Sequence, residues 1–272
     1  MKEKLYIIKI GGNIIDDEEK LISFLESFAS LKEKKILVHG GGKLATNMAM
    51  DLNIPQKQID GRRITDEATL KVVTMVYAGL INKKIVAHLQ SLQCNAIGLC
   101  GADGNVLQAH KRAITDTGVD YGFVGDVDAV SADAIQNLLS GVDTLVFAPI
   151  THDGKGQLLN TNADTIAKEI AIGMSQLYET TLIYCFEKHG VLMERENDNS
   201  VIPVIDSAYY QELLATKNNK GEPVFSEGML PKLSNAFATV DAGVGAVVIG
   251  HALQLRKIVE GGAGTRIKKV DG

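Results

Sequence analysis

The chain has 272 residues, of which 45% are hydrophobic and 22% charged, enough for one large domain or two coupled lobes around a sizeable core. A formal charge of −5 and a pI near 5.7 leave no global basic excess, which argues against a nucleic-acid binder but not against small anionic ligands. Cys94, Cys100 and Cys185 have no CxxC spacing and read as reduced, buried thiols. With no signal-peptide layout and no apolar run near the ~20 residues that span a bilayer, the expected compartment is the cytoplasm, without a membrane partner.

The first half alternates strand and helix signals. Leu5 to Ile8 is an apolar run closed by Gly11-Gly12, and Leu21, Ile22, Leu25, Phe28 and Leu31 follow at helical spacing. Ile36-Leu37-Val38 forms a second strand, closed by Gly40-Gly41-Gly42, with Leu44, Met48 and Leu52 marking the next helix. Thr65-Asp66 can cap a long helix carrying Val72, Val73, Val76, Leu80, Ile85 and Leu89 on one side. Ala96 to Leu99 and Thr144 to Phe147 read as further strands. This rhythm predicts a mainly parallel sheet with helices on both faces, binding ligands beyond the carboxyl ends of its strands.

After about Gly173 the character changes. Thr181 to Tyr184 is a strand, and Val191-Leu192-Met193 and Val201 to Val204 flank a polar turn, Glu196 to Ser200, as a hairpin. Ser207 can cap a helix through Leu214, the polar loop Lys217 to Glu222 leads to Pro231 in the first turn of another helix, and Ala246 to Gly250 is a late strand. Two lobes on one continuous sheet, 1–174 and 175–272, fit better than independent domains.

Neither a Walker A loop nor a GxGxxG stretch is present: Gly42-Lys43 runs into Leu44 with no glycine five positions earlier. A glycine turn that opens a helix exposes backbone N–H groups to an anion, although glycine serves ordinary tight turns as well. Lys9 ends a strand that should be buried on both faces, a costly place for a cation unless it points toward an anion. Asn160, Asn162 and Asp164 follow Leu158-Leu159 at i, i+2 and i+4, more polar groups than one helix cap requires. Lys232 sits in a helix's first turn, where a cation opposes the helix dipole.

The stretches Lys9-Ile10-Gly11-Gly12-Asn13, His39-Gly40-Gly41-Gly42, Gly61-Arg62-Arg63-Ile64-Thr65, Asn160-Thr161-Asn162-Ala163-Asp164 and Gly228-Met229-Leu230-Pro231-Lys232 occur in the order found in the amino acid kinase family. The chain resembles that family from about Leu5 to the closing glycine-rich segment ending at Arg266, and its Gly61–Thr65 segment resembles that of the members acting on acylglutamates. The resemblance implies a three-layer αβα sandwich around an open, mainly parallel sheet, with the acceptor and the dimer contact on residues 1–174 and ATP on residues 175–272. It implies ATP-dependent phosphorylation of the side-chain carboxylate of an N-acyl-L-glutamate, acetyl or succinyl, early in arginine biosynthesis. Other family members act on carbamate or glutamate, and a silent nucleotide or amino-acid sensor is the rival of a different class.

By the same resemblance Lys9 and Lys232 contact the transferring phosphoryl group, and Asp164 orients both lysines near the magnesium ion that ATP carries, with no metal held directly by the protein. Gly41, Gly42, Arg63 and Asn160 would hold the acylglutamate; Gly12, Glu187, Gly190, Ser226, Gly228 and Met229 would hold the nucleotide. Relatives usually carry an Asp shortly before Gly190, where this chain reads Cys185-Phe186-Glu187-Lys188-His189, so Glu187 is the expected replacement. Arg62, Lys111 and Arg112 exceed the cations an acetyl group requires; they are either solvated surface charge or receivers of an anionic acyl group. Arginine-regulated relatives carry an N-terminal helix not seen here, which leads to the expectation of a homodimer without arginine feedback.

Overall fold

The computed structural model describes residues 2–59, 61–194, 197–216 and 229–269. Their central feature is an eight-stranded sheet in the order Val204–Ile205, Thr265–Ile267, Ala246–His251, Glu179–Phe186, Lys4–Ile10, Lys34–His39, Thr144–Phe147, Ala96–Leu99. Every neighbouring pair from Ala246–His251 to Ala96–Leu99 is parallel, and Thr265–Ile267 runs antiparallel to Ala246–His251. Side chains alternate between faces along a strand, so a sheet covered on both sides needs nearly continuous apolar strands. Leu5, Ile7 and Leu182 pack on one side with Ile166, Ile170, Leu233 and Ala236, while Ile8, Ile10 and Ile183 pack on the other with Phe24, Phe28 and Val73. The expected αβα sandwich is the one formed.

Several local expectations are corrected. Leu80 is 53% exposed because the long helix Glu67–Ser91 passes through a π-helical stretch, Met75–Ile81, which shifts the side-chain phase and buries Tyr77 and Ile81 instead. Glu67–Ser91 is, among the described residues, the one helix long and apolar enough to cross a membrane; its buried apolar residues, from Leu70 to Leu89, belong to the core beneath the sheet. The helix Gly42–Asp51 buries Ala45 and Ala49, whereas Met48 and Leu52 lie exposed, because the helix packs closely against Glu67–Ser91 through its small residues. Asp206, not Ser207, caps Ser207–Ala215 by accepting from the Tyr209 N–H at 2.8 Å. The hairpin after Val191 forms but is short: Leu192 bridges Val201, the Met193 N–H donates to the Ser200 carbonyl at 2.9 Å and the Ile202 N–H to the Val191 carbonyl at 2.8 Å, and Val204–Ile205 then leaves to pair with Thr265–Ile267. Asp66 and Pro231 stand where expected, as cap and in the first turn of Leu230–Asp241.

Two smaller sheets were not anticipated, since their strands are too short to carry a clear period. One is four-stranded, Leu158–Asn160, Ile150–His152, Leu107–Lys111 and Gly125–Val130; the other pairs Gln58–Ile59 with Arg62–Arg63. They hold Asn160 and Arg63 over the carboxyl ends of the main strands. From Lys4–Ile10 the chain passes to Lys34–His39 on one side, while Glu179–Phe186 joins on the other. Loops diverge at such a switch point and open a crevice there.

Candidate active site

Two clefts meet at Gly11 and Gly12. One, about 270 Å³, is lined by Lys9, Gly42, Arg63, Arg112, Asn160 and Asp164; the other, about 280 Å³, by Glu187, Gly190, Met229 and Lys232. Gly11 and Gly41 open the helices Gly12–Ile15 and Gly42–Asp51, and neither helix has a side-chain cap, so their first N–H groups remain available to an anion. Gly41 has φ 143°, and a Cβ there would fall 2.1 Å from Ile81 Cδ1. Only glycine fits that turn.

Lys9 is 8% exposed, and its ammonium lies 2.8 Å from Asp164 Oδ1. That oxygen is buried without a well-aligned hydrogen bond, so the ion pair leaves the ammonium free to turn toward a ligand. Asp164 is aimed by the helix start: Asn162 caps Ala163–Met174 by accepting from the Asp164 and Thr165 N–H groups. Asn160 donates from Nδ2 to Thr65 Oγ1 at 3.0 Å. The three polar residues thus have three separate tasks, as anchor, cap and counter-ion.

Arg63 is 8% exposed and donates from Nη2 to the Gly42 carbonyl and to Thr46 Oγ1, both at 2.8 Å, and from Nη1 to Gln56 Oε1. It braces the second glycine turn from across the cleft. Of the three additional cations, Arg62 and Arg112 line this cleft, whereas Lys111 is exposed and faces Asp120 at 3.7 Å. Arg112 pairs with Asp126, which lowers that carboxyl's pKa, yet Arg112 Nη1 is buried without a hydrogen-bond partner.

His39 is fully buried, and desolvation lowers its pKa to about 4. Its Nδ1 lies 2.8 Å from the Gly40 carbonyl and its Nε2 3.2 Å from Asn82 Nδ2, the arrangement of a neutral ring donating to Gly40 and accepting from Asn82. A folded-state pKa below the unfolded value of about 6.5 means the unfolded chain binds the proton more readily. The stability from the neutral ring is therefore complete above about pH 6.5 and is lost as pH falls toward about 4, on the order of 3 kcal/mol in all. Urea unfolding at several pH values should show this acid limb, and His39→Gln should flatten it.

In the second cleft Glu187 is exposed and Gly190 buried, where a Cβ would fall 2.7 Å from Thr265 Oγ1. Ser226 and Gly228 lie outside the described residues. Lys232 does not meet Asp164 in an ion pair like that of Lys9; its Nζ lies 4.5 Å from the centre of the Phe186 ring. Tyr184 donates to the Asp164 carbonyl at 3.2 Å, its phenol pKa raised by burial and by the Asp164 and Glu169 charges. Beside it the Cys185 thiol is pushed up to about 12 by burial and stays protonated. Sequence reasoning missed Tyr184, Phe186, Thr46 and Gln56. For the aromatic pair the sequence offers only i, i+2 spacing at the end of an apolar run; the pairing of that strand with the Lys9 strand is visible in the structure alone.

The model of the amino acid kinase family matches residues 4–251. The chain is 54% identical over 257 residues to an acetylglutamate kinase of Cytophaga hutchinsonii, covering 94% of this chain and 95% of that one. It is 51% identical to an acetylglutamate kinase of Phocaeicola vulgatus over 99% of this chain and all of the other. In fold it is similar to carbamate kinase from Giardia lamblia, with TM-score 0.67, 12% identity and 99% of each chain covered.

Proposed function

The chain belongs to the amino acid kinase family, and from that premise we propose that it transfers the γ-phosphoryl group of ATP to the side-chain carboxylate of N-acetyl-L-glutamate, an early step of arginine biosynthesis. The observation that carries this reading is the pair of clefts meeting at one glycine turn, each with a lysine at the junction. The acceptor occupies the cleft of Arg63 and Asn160 on residues 1–174, and the nucleotide occupies the cleft of Lys232, Glu187 and Gly190 on residues 175–272. Arg63, holding an α-carboxylate remote from the reacting one, favours an acylglutamate over carbamate.

A glutamate side-chain carboxylate has a pKa of about 4.3 and is already ionised at neutral pH, so the nucleophile needs no general base. The obstacle is charge: two anions about 4 Å apart repel by about 4 kcal/mol at an effective dielectric of 20. Lys9 and Lys232 offset this repulsion at the transferring group, the amides of the Gly11–Gly12 and Gly41–Gly42 turns add aligned dipoles, and Asp164 holds Lys9 in place. Mg²⁺ fits here as an ion carried by ATP: the Asp164 side chain, 45% exposed, is a carboxylate at the junction, and one carboxylate with phosphate oxygens is a common Mg²⁺ shell. When bound it would neutralise phosphate charge.

Assembly as a homodimer belongs to the same reading, with the edge strand Ala96–Leu99 and exposed Met75, Leu80 and Ile97 as the apolar face that a second copy would cover. The cytoplasm is the compartment that suits an ATP-dependent enzyme with free thiols.

Arg112, which lines the acceptor cleft and whose Nη1 is buried without a partner, favours a second reading in which the acyl group ends in a carboxylate, as succinyl does. An ATP-turnover assay over N-acetyl-L-glutamate, N-succinyl-L-glutamate, carbamate and free glutamate tests both. Turnover of either acylglutamate at more than about a hundred times the rate with free glutamate is expected. A succinyl preference lost in Arg112→Gln would favour the second reading; failure with both acylglutamates defeats the kinase proposal.

A further inference from the structure

Phe186 ends the strand Glu179–Phe186, half-buried, its ring stacked on Tyr184 at a centroid distance of 6.2 Å and an interplanar angle of 24°. Two ammonium groups converge on it, Lys232 Nζ at 4.5 Å and Lys9 Nζ at 5.7 Å from the ring centre. They come from elements at opposite ends of the sequence, the first strand and the helix Leu230–Asp241. We infer that Phe186 is a positioning residue, an aromatic platform that gathers the Lys9 and Lys232 ammonium groups at the junction of the two clefts before the phosphates arrive. The inference rests on the phosphotransfer reading of those clefts.

A ring face attracts a cation within about 6 Å through its quadrupole while carrying no net charge. Two ammonium groups drawn to one place repel each other, and something must offset that repulsion in the unliganded protein. Asp164 already neutralises Lys9 from one side, and a second carboxylate in place of the ring would bind the lysines more strongly but add another like charge against the incoming γ-phosphate. The ring holds the lysines without opposing the phosphate. It also yields them readily, because a cation–π contact is weaker than the charge-assisted hydrogen bonds that phosphate oxygens offer.

The backbone makes the arrangement possible. Tyr184 is the register partner of Lys9 in the parallel pair, and Phe186, two residues on, shares its face. Tyr184 also donates to the Asp164 carbonyl, so Asp164, Lys9, the two stacked rings and Lys232 form one continuous contact chain. Asp164 supplies Lys9 with a second tether; for Lys232 the ring is the contact that joins it to the group.

Site-specific replacement of Phe186 by mono-, di- and trifluorinated phenylalanines keeps the shape and progressively weakens the ring quadrupole. The expected result is a stepwise fall in kcat reaching about tenfold, with the acylglutamate KM unchanged, a loss of about the same size in Phe186→Leu, and recovery in Phe186→Tyr. In the unliganded protein, the Lys232 Cε protons, assigned by difference from Lys232→Arg, should be shifted upfield by the ring current and return to ordinary values in Phe186→Leu. A flat kcat across the fluorinated series, or Lys232 protons without that shift, overturns the platform. If the unsubstituted protein turns over no acylglutamate, the functional reading fails, and the ring-current measurement alone then decides whether the lysines are gathered.

Discussion

Replacing Lys9 by alanine should lower kcat by about 10²–10³-fold while changing the KM of either substrate only a few-fold. The expectation follows from where the charge is needed. Both ground-state anions can bind their own clefts, the nucleotide on the glycine-turn amides and the acceptor on Arg63. Only as they approach does the extra negative charge concentrate at the junction, where Lys9 is 8% exposed and therefore weakly screened. A cation that acts on the developing charge and not on the separate ligands affects kcat. The substitution should leave folding nearly intact: the paired oxygen, Asp164 Oδ1, is buried, but the side chain as a whole is 45% exposed, so the space left by the lysine can admit water to it. Steady-state kinetics with thermal unfolding as a control checks this. A Lys9→Ala enzyme whose loss lay wholly in KM would assign the lysine to ground-state binding instead.

The second large effect is expected at Arg63, in the opposite kinetic parameter. Arg63→Lys should raise the acylglutamate KM by about 10–100-fold with ATP binding largely retained, the loss of charge-assisted hydrogen bonds that a point-like ammonium cannot reproduce. Lysine is the better probe than alanine, because the guanidinium also ties Gly42 and Thr46 to Gln56 and its complete removal would loosen the turn. Those three bonds use only part of the guanidinium's five donors, so it can brace the turn and grip a carboxylate together. Isothermal titration with the acylglutamate and with a nonhydrolysable ATP analogue separates the two ligands. Equal weakening of both would mean that Arg63 supports the fold of the clefts and not the acceptor.

The parts of this molecule that were legible in the sequence are those where one physical demand dominates. Strands buried on both faces must be apolar throughout, so Leu5 to Ile8, Ile36 to Val38 and Ala246 to Gly250 announce themselves. A lysine at the end of such a strand, as at Lys9, stands out against that background. Features that depend on two distant segments meeting were hidden. Nothing near Phe186 says that two lysines will converge on its ring, and nothing near Arg63 predicts Gln56 and Thr46 as partners. The hairpin expected after Val191 forms but stays short for the same reason, because Val204–Ile205 leaves it to pair with Thr265–Ile267. Leu80 was misplaced by a different effect, a change of helical period that no fixed template contains.

That change of period has a consequence for how this chain can vary in length. The π-helical stretch Met75–Ile81 acts as an absorbed extra residue within Glu67–Ser91. Deleting one residue there would restore a regular α-helix and leave the segments on either side in nearly their present phase, because the widened turn already absorbs the difference. Deleting one residue just beyond it would instead turn everything that follows by about 100°, and the fully buried Leu89 would swing away from its neighbours. The chain can thus lose a residue in this helix only at the widened turn, and even there the change falls on Tyr77 and Ile81, the side chains against which Gly41 is fitted.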